Sequence, residues 1–389
     1  MKIVTLIDMI LDQYERREAK YNKLDGNSSL RIQEKEYKII EQQDMVMQAK
    51  KLEEAKLIKI VWVDGYYNVD IEKIKYPLAN MLCFYKLANR VPKYVITINQ
   101  KNKALDYYRN FQKAWIRNYM EAEVLPAIER GNIAKDDKKQ IVLYECLAGL
   151  DQLNEPVLKR VFSKRILHDS KRFEKELQAK IIRIAKKYLE DIDMNMEKQD
   201  ILNQLFIEEY AQELYIKGRL FIELEGKRID TGNFYYGTIL NTQTMKNAII
   251  LSNPHIRKII TIENKANFIA EPYDDNTLII FTHGYFSPLE RRFLSTLNQK
   301  LQKQIVSYLH SGDLDYGGVC IFKFIQEKIF PDLMPMNMDK RTFNNYLDYA
   351  EDMKDSVKKK LRNLKVPQLD ELIGCMLESG KSIEQEAFL

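Results

Sequence analysis

Residues 305–319 read IVSYLHSGDLDYGGV: an apolar run, then two aspartates one residue apart, then a glycine pair. Ionised carboxylates at this spacing repel one another, so the pattern costs stability unless a positive charge sits between them. A cation is the simplest candidate. On an extended backbone, period-two spacing puts Asp313 and Asp315 on one side and turns Leu314 towards a core. Gly312 permits a close approach at the strand end, and Gly317 with Gly318 permits a sharp entry into the helix expected over VCIFKFIQEKIF. An isolated DxD is as readily a turn or a helix cap as a metal site, so its surroundings decide.

Upstream, Ile259–Ile262 form a short apolar strand that ends at Glu263, and Leu278–Phe281 form a second that ends near His283 and Gly284. Gln304–Leu309 lead into the third. If the three are parallel, their C-terminal ends share one edge, where open α/β sheets hold their ligands. Glu263, Gly284, Asp313 and Asp315 then meet. An all-oxygen donor set of this kind suits Mg²⁺, which is commonly held by one or two carboxylates with substrate phosphate completing its sphere. Mn²⁺ suits the same donors.

The remaining sequence sets the outer limits. A chain of 389 residues with 45% hydrophobic content suits two or three globular domains. The short apolar run in MKIVTLIDMILDQYERRE is not expected to act as a secretory signal, and no stretch reaches membrane-span length. Four scattered cysteines give no disulfide framework. The cytoplasm is the expected compartment.

Net charge is only +5, yet Lys159–Tyr188 carries eleven Lys or Arg against three acids, a local charge of +8. Such a face can neutralise phosphates without reading sequence, although a solvated helix laced with ion pairs has the same composition. Lys164, Arg165, Lys171 and Arg172 are the candidate DNA contacts, with Asp169 or Ser170 capping the following helix. Lys265 and His283, beside the acidic edge, are further candidates. A lone histidine at that position is also compatible with a packed, hydrogen-bonded role.

At the other end, Val4–Glu18 and Gln43–Ala55 show helical spacing, and LIKIVWVDGYYNVDIEKIKY reads as a hairpin turning at Asp64–Gly65. Helices followed by a hairpin suit a winged-helix unit, used for DNA or for a partner. Helical patterns dominate Lys93–Glu190, where Tyr107, Tyr108, Phe111 and Trp115 are best read as core. Ile201–Glu213 is expected as another helix, followed by strands punctuated by Gly218 and Gly226. The expected class is multidomain α+β and α/β, with regions 1–92, 93–158, 159–248 and 249–389.

The ordered set ITIENKANF, FTHGYFS and SGDLDYGG resembles the three core motifs of Toprim domains, the catalytic fold of topoisomerases, primases and related nucleases. With HDSKRFE (168–174), GRLFIE (218–223) and IEQEAF (383–388), the chain resembles the JetD (MksG) family of Wadjet anti-plasmid systems. That family is related to the meiotic double-strand-break protein and the topoisomerase VI A subunit. The resemblance covers about residues 160–389 and implies a CAP-like basic helix and hairpin region at 159–248 and a Toprim domain at 249–389.

The resemblance also implies Glu263, Asp313 and Asp315 as catalytic, Mg²⁺-holding acids. Glu384 and Glu386 match the family's terminal acidic element, either as further metal ligands or as partners of the basic segment. Implied partners are double-stranded plasmid DNA, a second copy of the chain, an SMC-type ATPase, a kleisin and a small winged-helix subunit. The implied location is cytoplasmic, at nucleoid or plasmid. No tyrosine segment matches the covalent motif of the topoisomerase relatives, so cleavage through water is the expectation. A tyrosine-dependent cleaving enzyme and a non-catalytic DNA-binding subunit are the alternatives.

Overall fold

Leu6, Ile10, Leu11 and Tyr14 recur on one face of an N-terminal helix, and that face is what the first core buries. The computed structural model describes residues 4–17, 25–131, 137–193 and 195–389. The chain divides into two compact units, Met1–Tyr144 and Glu145–Leu389.

In the first unit, α1 (Leu6–Arg17) is followed by β1 (Asn27–Arg31), a single turn α2 (Glu34–Tyr37), α3 (Gln42–Glu54), β2 (Lys59–Trp62) and β3 (Ile71–Pro77). Met45, Val46, Ala49 and Leu52 of α3 are buried, as their spacing predicts. The hairpin is present, but its connection spans residues 63–70 rather than a two-residue Asp-Gly turn. Val63 and Asp70 still pair across it, with Val63 N–H donating to the Asp70 carbonyl. β1 pairs on the other side of β3, giving the antiparallel order β1-β3-β2.

Then come α4 (Met81–Leu87), α5 (Lys93–Asn110), α6 (Ala114–Tyr119), a π-helical turn over Met120–Val124, α7 (Leu125–Glu129) and α8 (Asp137–Asp151), which runs across the division. Phe111 and Trp115 are buried, and Tyr107 packs between Phe111 and Tyr144 with ring centroids 6.4 and 5.3 Å away. Tyr107, Phe111 and Trp115 therefore belong to the core, whereas half-buried Tyr108 meets Glu121 and Arg117 at the surface.

The second unit opens with the two-residue β4 (Val157–Leu158) and the basic helices α9 (Lys159–Leu167) and α10 (Gln178–Tyr188). Both are amphipathic. Phe162, Leu167, Ile181, Ile182 and Ile184 face inwards, and most of the cations face solvent. Helix α11 (Lys198–Gln204) stops well short of the expected Glu213, because Phe206 adopts a left-handed φ of 63° that no helix can continue through. The chain instead forms β5 (Ile207–Glu208), paired with β4, and β6 (Glu213–Lys217).

β7 (Phe221–Leu224) and β8 (Lys227–Asp230) form a hairpin, and β9 (Thr238–Asn241), α12 (Thr242–Asn247) and β10 (Ile249–Ile250) follow. The three expected strands are β11 (Lys258–Ile262), β12 (Thr277–Phe281) and β13 (Ser307–Ser311), linked through α13 (Lys265–Ala270) and α14 (Pro288–Leu301). After α15 (Tyr316–Lys328), β14 (Leu333–Pro335) completes a six-stranded sheet of order β14-β13-β11-β12-β6-β9.

β14, β13, β11 and β12 are mutually parallel, with Ile262 in register with both Phe281 and Ser311. β6 closes on β12 antiparallel, and β9 on β6. The near-continuous burial of Ile259–Ile262 and Leu278–Ile280 is what a sheet covered on both faces demands. β6 also carries a buried lysine. Lys217 Nζ donates to the carbonyls of Phe268, Ile269 and Glu271 at 2.9, 2.9 and 2.7 Å, capping the end of α13.

Candidate metal and nucleic-acid site

Parallel pairing brings the ends of β11 and β13 side by side, so Glu263 and Asp313 become neighbours although fifty residues separate them. Asp313 N–H donates to Glu263 Oε2 at 3.1 Å. Leu314 is fully buried and exchanges two backbone hydrogen bonds with Ile383, 2.8 and 3.0 Å long. That bridge brings the C-terminal segment to the same edge. Gln385 then ties it down. Its N–H donates to Asp313 Oδ1 at 2.7 Å, its amide nitrogen donates to Ser311 Oγ at 2.7 Å, and its amide oxygen accepts from Asn264 N–H at 2.9 Å.

Asp315 has a second task. With extended dihedrals it is the N-cap of α15, its Oδ1 accepting from Gly318 N–H at 2.7 Å. Two glycines here are required by space rather than by positive φ. A Cβ at Gly318 would lie 2.2 Å from the Asp313 carbonyl oxygen, and one at Gly312 would lie 2.5 Å from Glu263 Oε2.

The acids are held against their own charge. Burial, then the charges of Asp313, Asp315 and Glu386, push Glu263 up to about 8, with the Asp313 N–H opposing. Burial lifts Asp313 to about 6, aided by Asp315, Glu386 and Glu384 and opposed by the Gln385 N–H. Asp315 is raised by burial and partly restored by the Gly317 and Gly318 amides. Exposed Glu384 and Glu386 thus stand close enough to act on Asp313 electrostatically, and Glu386 also acts on Glu263.

The donors are hard oxygens in an environment that favours added positive charge, which fits Mg²⁺ chemically. Among the described residues, no three His, Cys, Asp or Glu side chains are grouped so as to hold a metal ion. One or two carboxylates with water and phosphate oxygens suffice for Mg²⁺, and each acid here spends oxygen lone pairs on a backbone N–H while keeping others.

The candidate DNA contacts divide by environment. Lys164, Arg165 and Lys171 are exposed, Lys164 also donating to the His168 carbonyl, while Arg172 is half-buried and pairs with Glu176 at 3.2 Å. Neither Asp169 nor Ser170 caps the following helix, whose N-cap is Arg172; Asp169 instead closes the turn before it, accepting from Lys171 N–H at 2.7 Å. Lys159 is withdrawn from the basic face, buried against Glu209 at 3.1 Å. Lys265 lies 4.5 Å over the Tyr215 ring. His283, in a left-handed conformation with φ 43°, bonds through Nε2 to the fully buried Glu290 at 2.9 Å. Burial alone lowers the His283 pKa, but the Glu290 charge outweighs it and raises the group overall.

Two residues at this edge escape sequence reasoning. Gln385 sits between two flagged glutamates, and only its alternation with them signals an inward side chain. His310 lies within the apolar run before Gly312 and carries no signal there. Among the described residues, no helix is long and apolar enough to cross a membrane.

A family model described as Wadjet protein JetD, C-terminal, matches residues 220–389. The Wadjet protein JetD of Bacillus cereus (strain Q1) is 30% identical over 343 residues, covering 86% of this chain and 83% of the relative.

Proposed function

Because the chain belongs to the Wadjet JetD family, we propose that it is the metal-dependent endonuclease subunit of an SMC-type anti-plasmid complex and cuts double-stranded circular DNA through water. The observation that carries this reading is the crowding of Glu263, Asp313 and Asp315 at one parallel-sheet edge, with the first two pushed up to about 8 and about 6. Carboxylates kept that far from their ordinary range call for a cation. Glu263 and Asp313, with Asp315 at the helix cap, are the residues that would hold it.

A bound divalent cation supplies charge neutralisation at the scissile phosphate and lowers the pKa of water. The chain's own contribution is orientation. Gln385 fixes Asp313, Asp313 N–H fixes Glu263, and α15 presents its N-terminal amides beside the acids. The exposed cations Lys164, Arg165 and Lys171 hold the duplex by its phosphates, with Arg172 beside them. Glu384 and Glu386 add negative charge at the rim.

The second unit's parallel sheet and acid order support the Toprim reading, and the α-β-α-α-β-β order of the first unit supports the winged-helix reading. A homodimer, an SMC-type ATPase, a kleisin and a small winged-helix subunit are the proposed partners, the dimer placing two equal sites on antiparallel strands.

Asp313→Asn tests the reading in the complete complex with circular DNA and Mg²⁺. Linearisation should fall by orders of magnitude while melting temperature and DNA binding hold, and chelation should do the same. Full cleavage by a folded Asp313→Asn/Asp315→Asn protein removes the proposed site. One observation favours a non-catalytic DNA-binding subunit instead: Asp315 caps α15, and among the described residues no three His, Cys, Asp or Glu side chains are placed to hold one metal ion. Absence of cleavage by the wild-type complex with Mg²⁺ or Mn²⁺ selects that reading.

A further inference from the structure

His310 lies on β13, three residues before Asp313, and is fully buried. Its ring state follows from its neighbours. Thr261 Oγ1 lies 3.1 Å from the Leu309 carbonyl and 2.9 Å from His310 Nδ1; with its one proton assigned to the carbonyl, it accepts from the ring. Nδ1 therefore carries the hydrogen and Nε2 presents a lone pair. Burial keeps the ring neutral, pushing its pKa down to about 3.

Nε2 is buried and, among the described residues, has no hydrogen-bond partner. A buried acceptor left unsatisfied costs free energy, so such atoms in native structures are met by protein or by water. The lone pair opens towards Gly312. The point where a Cβ of residue 312 would sit is 2.9 Å from Nε2 and 2.5 Å from Glu263 Oε2, too close for a side chain, so the two atoms converge over the bare face of that glycine and stand within reach of one water. A water there has both of its protons usable, one for each acceptor.

We infer that His310 is a positioning residue for the acidic edge: its Nε2 and Glu263 Oε2 share one bound water on the bare face of Gly312, and that water fixes the orientation in which Glu263 meets a divalent cation. The inference rests on the metal reading above. It also accounts for three features at once, since it supplies a donor for the orphaned nitrogen, explains a fully buried histidine on β13, and gives residue 312 a reason to lack a side chain.

The test is Mn²⁺ titration of the full chain, with free Mn²⁺ read by electron paramagnetic resonance. His310→Gln puts an amide oxygen near the Nε2 position and should bind within about threefold of wild type. His310→Asn keeps a polar group near Nδ1 for Thr261 but nothing at Nε2, and should bind roughly tenfold more weakly. Gly312→Ala displaces the water with His310 intact but also presses on Glu263 Oε2, so its affinity should fall at least as far as that of His310→Asn.

Equal losses in the Gln and Asn variants would reduce His310 to a packing role and overturn the inference, as would unchanged affinity in His310→Asn or Gly312→Ala. Glu263→Gln separates the two levels. Binding unchanged in that variant sinks the metal reading and the positioning role with it, whereas loss there with none in His310→Asn sinks the positioning role alone.

Discussion

Replacing Glu263 with Gln should make the metal-free protein more stable, and increasingly so as pH rises. Glu263 is held at about 8 against an ordinary 4.5, so between those values the folded state binds more protons than the unfolded chain. Stability therefore falls as pH climbs through that window. At pH 7 the penalty from this one group is on the order of 3 kcal/mol, approaching about 5 kcal/mol above pH 8. Glutamine keeps an oxygen for the Asp313 N–H but never ionises.

In EDTA, the melting temperature of the transition that includes Glu145–Leu389 should be nearly equal for wild type and Glu263→Gln at pH 5. At pH 8, where the penalty is about 4 kcal/mol, the variant should lead by roughly 8–16 °C, taking 2–4 °C per kcal/mol for a unit of this size. Adding Mg²⁺ at pH 8 should raise wild type far more than the variant and close the gap, because binding to the folded state alone stabilises it. Differential scanning calorimetry across pH 5–8.5 measures all three quantities. Parallel pH slopes for the two proteins in EDTA would refute the reasoning, since the acid would then not be held against its charge.

The cap and the acid at residue 315 should separate: Asp315→Ala should lose about 1 kcal/mol of stability, whereas Asp315→Asn should keep the α15 cap, and both should lose cleavage. Melting curves run beside a plasmid assay check this. Reversing Lys164, Arg165 and Lys171 to Glu should weaken duplex binding and flatten its logarithmic salt dependence by about 3, read by fluorescence anisotropy. Lys159→Ala should instead act mainly on stability, because that ammonium is buried against Glu209. After cleavage, end-labelled DNA should run free of protein on denaturing gels, and an adduct abolished by a single Tyr→Phe change would move the chemistry to the covalent class.

The parallel core was legible because its strands are short runs of Ile and Leu that stop at Glu263, His283 and Gly312, so composition and punctuation agree. Leu314 was legible for the same reason, as the one apolar residue between two acids. The element that closes the sheet was not. β6 has the same local pattern as any amphipathic strand, and its pairing with β12 is decided by a contact some sixty residues away. The helix read through Ile201–Glu213 fails at Phe206, whose left-handed backbone no propensity signals. Gln385 and His310 were invisible because their roles come from what they face across the sheet edge. The packed, hydrogen-bonded reading of His283 was legible, but its partner Glu290, on the next helix, was not.

The antiparallel insertion of β6 beside β12 bears on how this protein can be divided. A fragment of residues 249–389 contains all the motif acids, and the matched family segment beginning at residue 220 also starts beyond β6. Either piece, expressed alone, would leave one side of β12 with unpaired amides and carbonyls next to buried Leu278, Ile279 and Ile280. Such an open edge recruits other chains. Recombinant pieces cut there should aggregate or exchange strands, and the smallest piece that stays in solution should begin upstream of Glu213, so sequence recognisability and folding autonomy have different borders in this molecule.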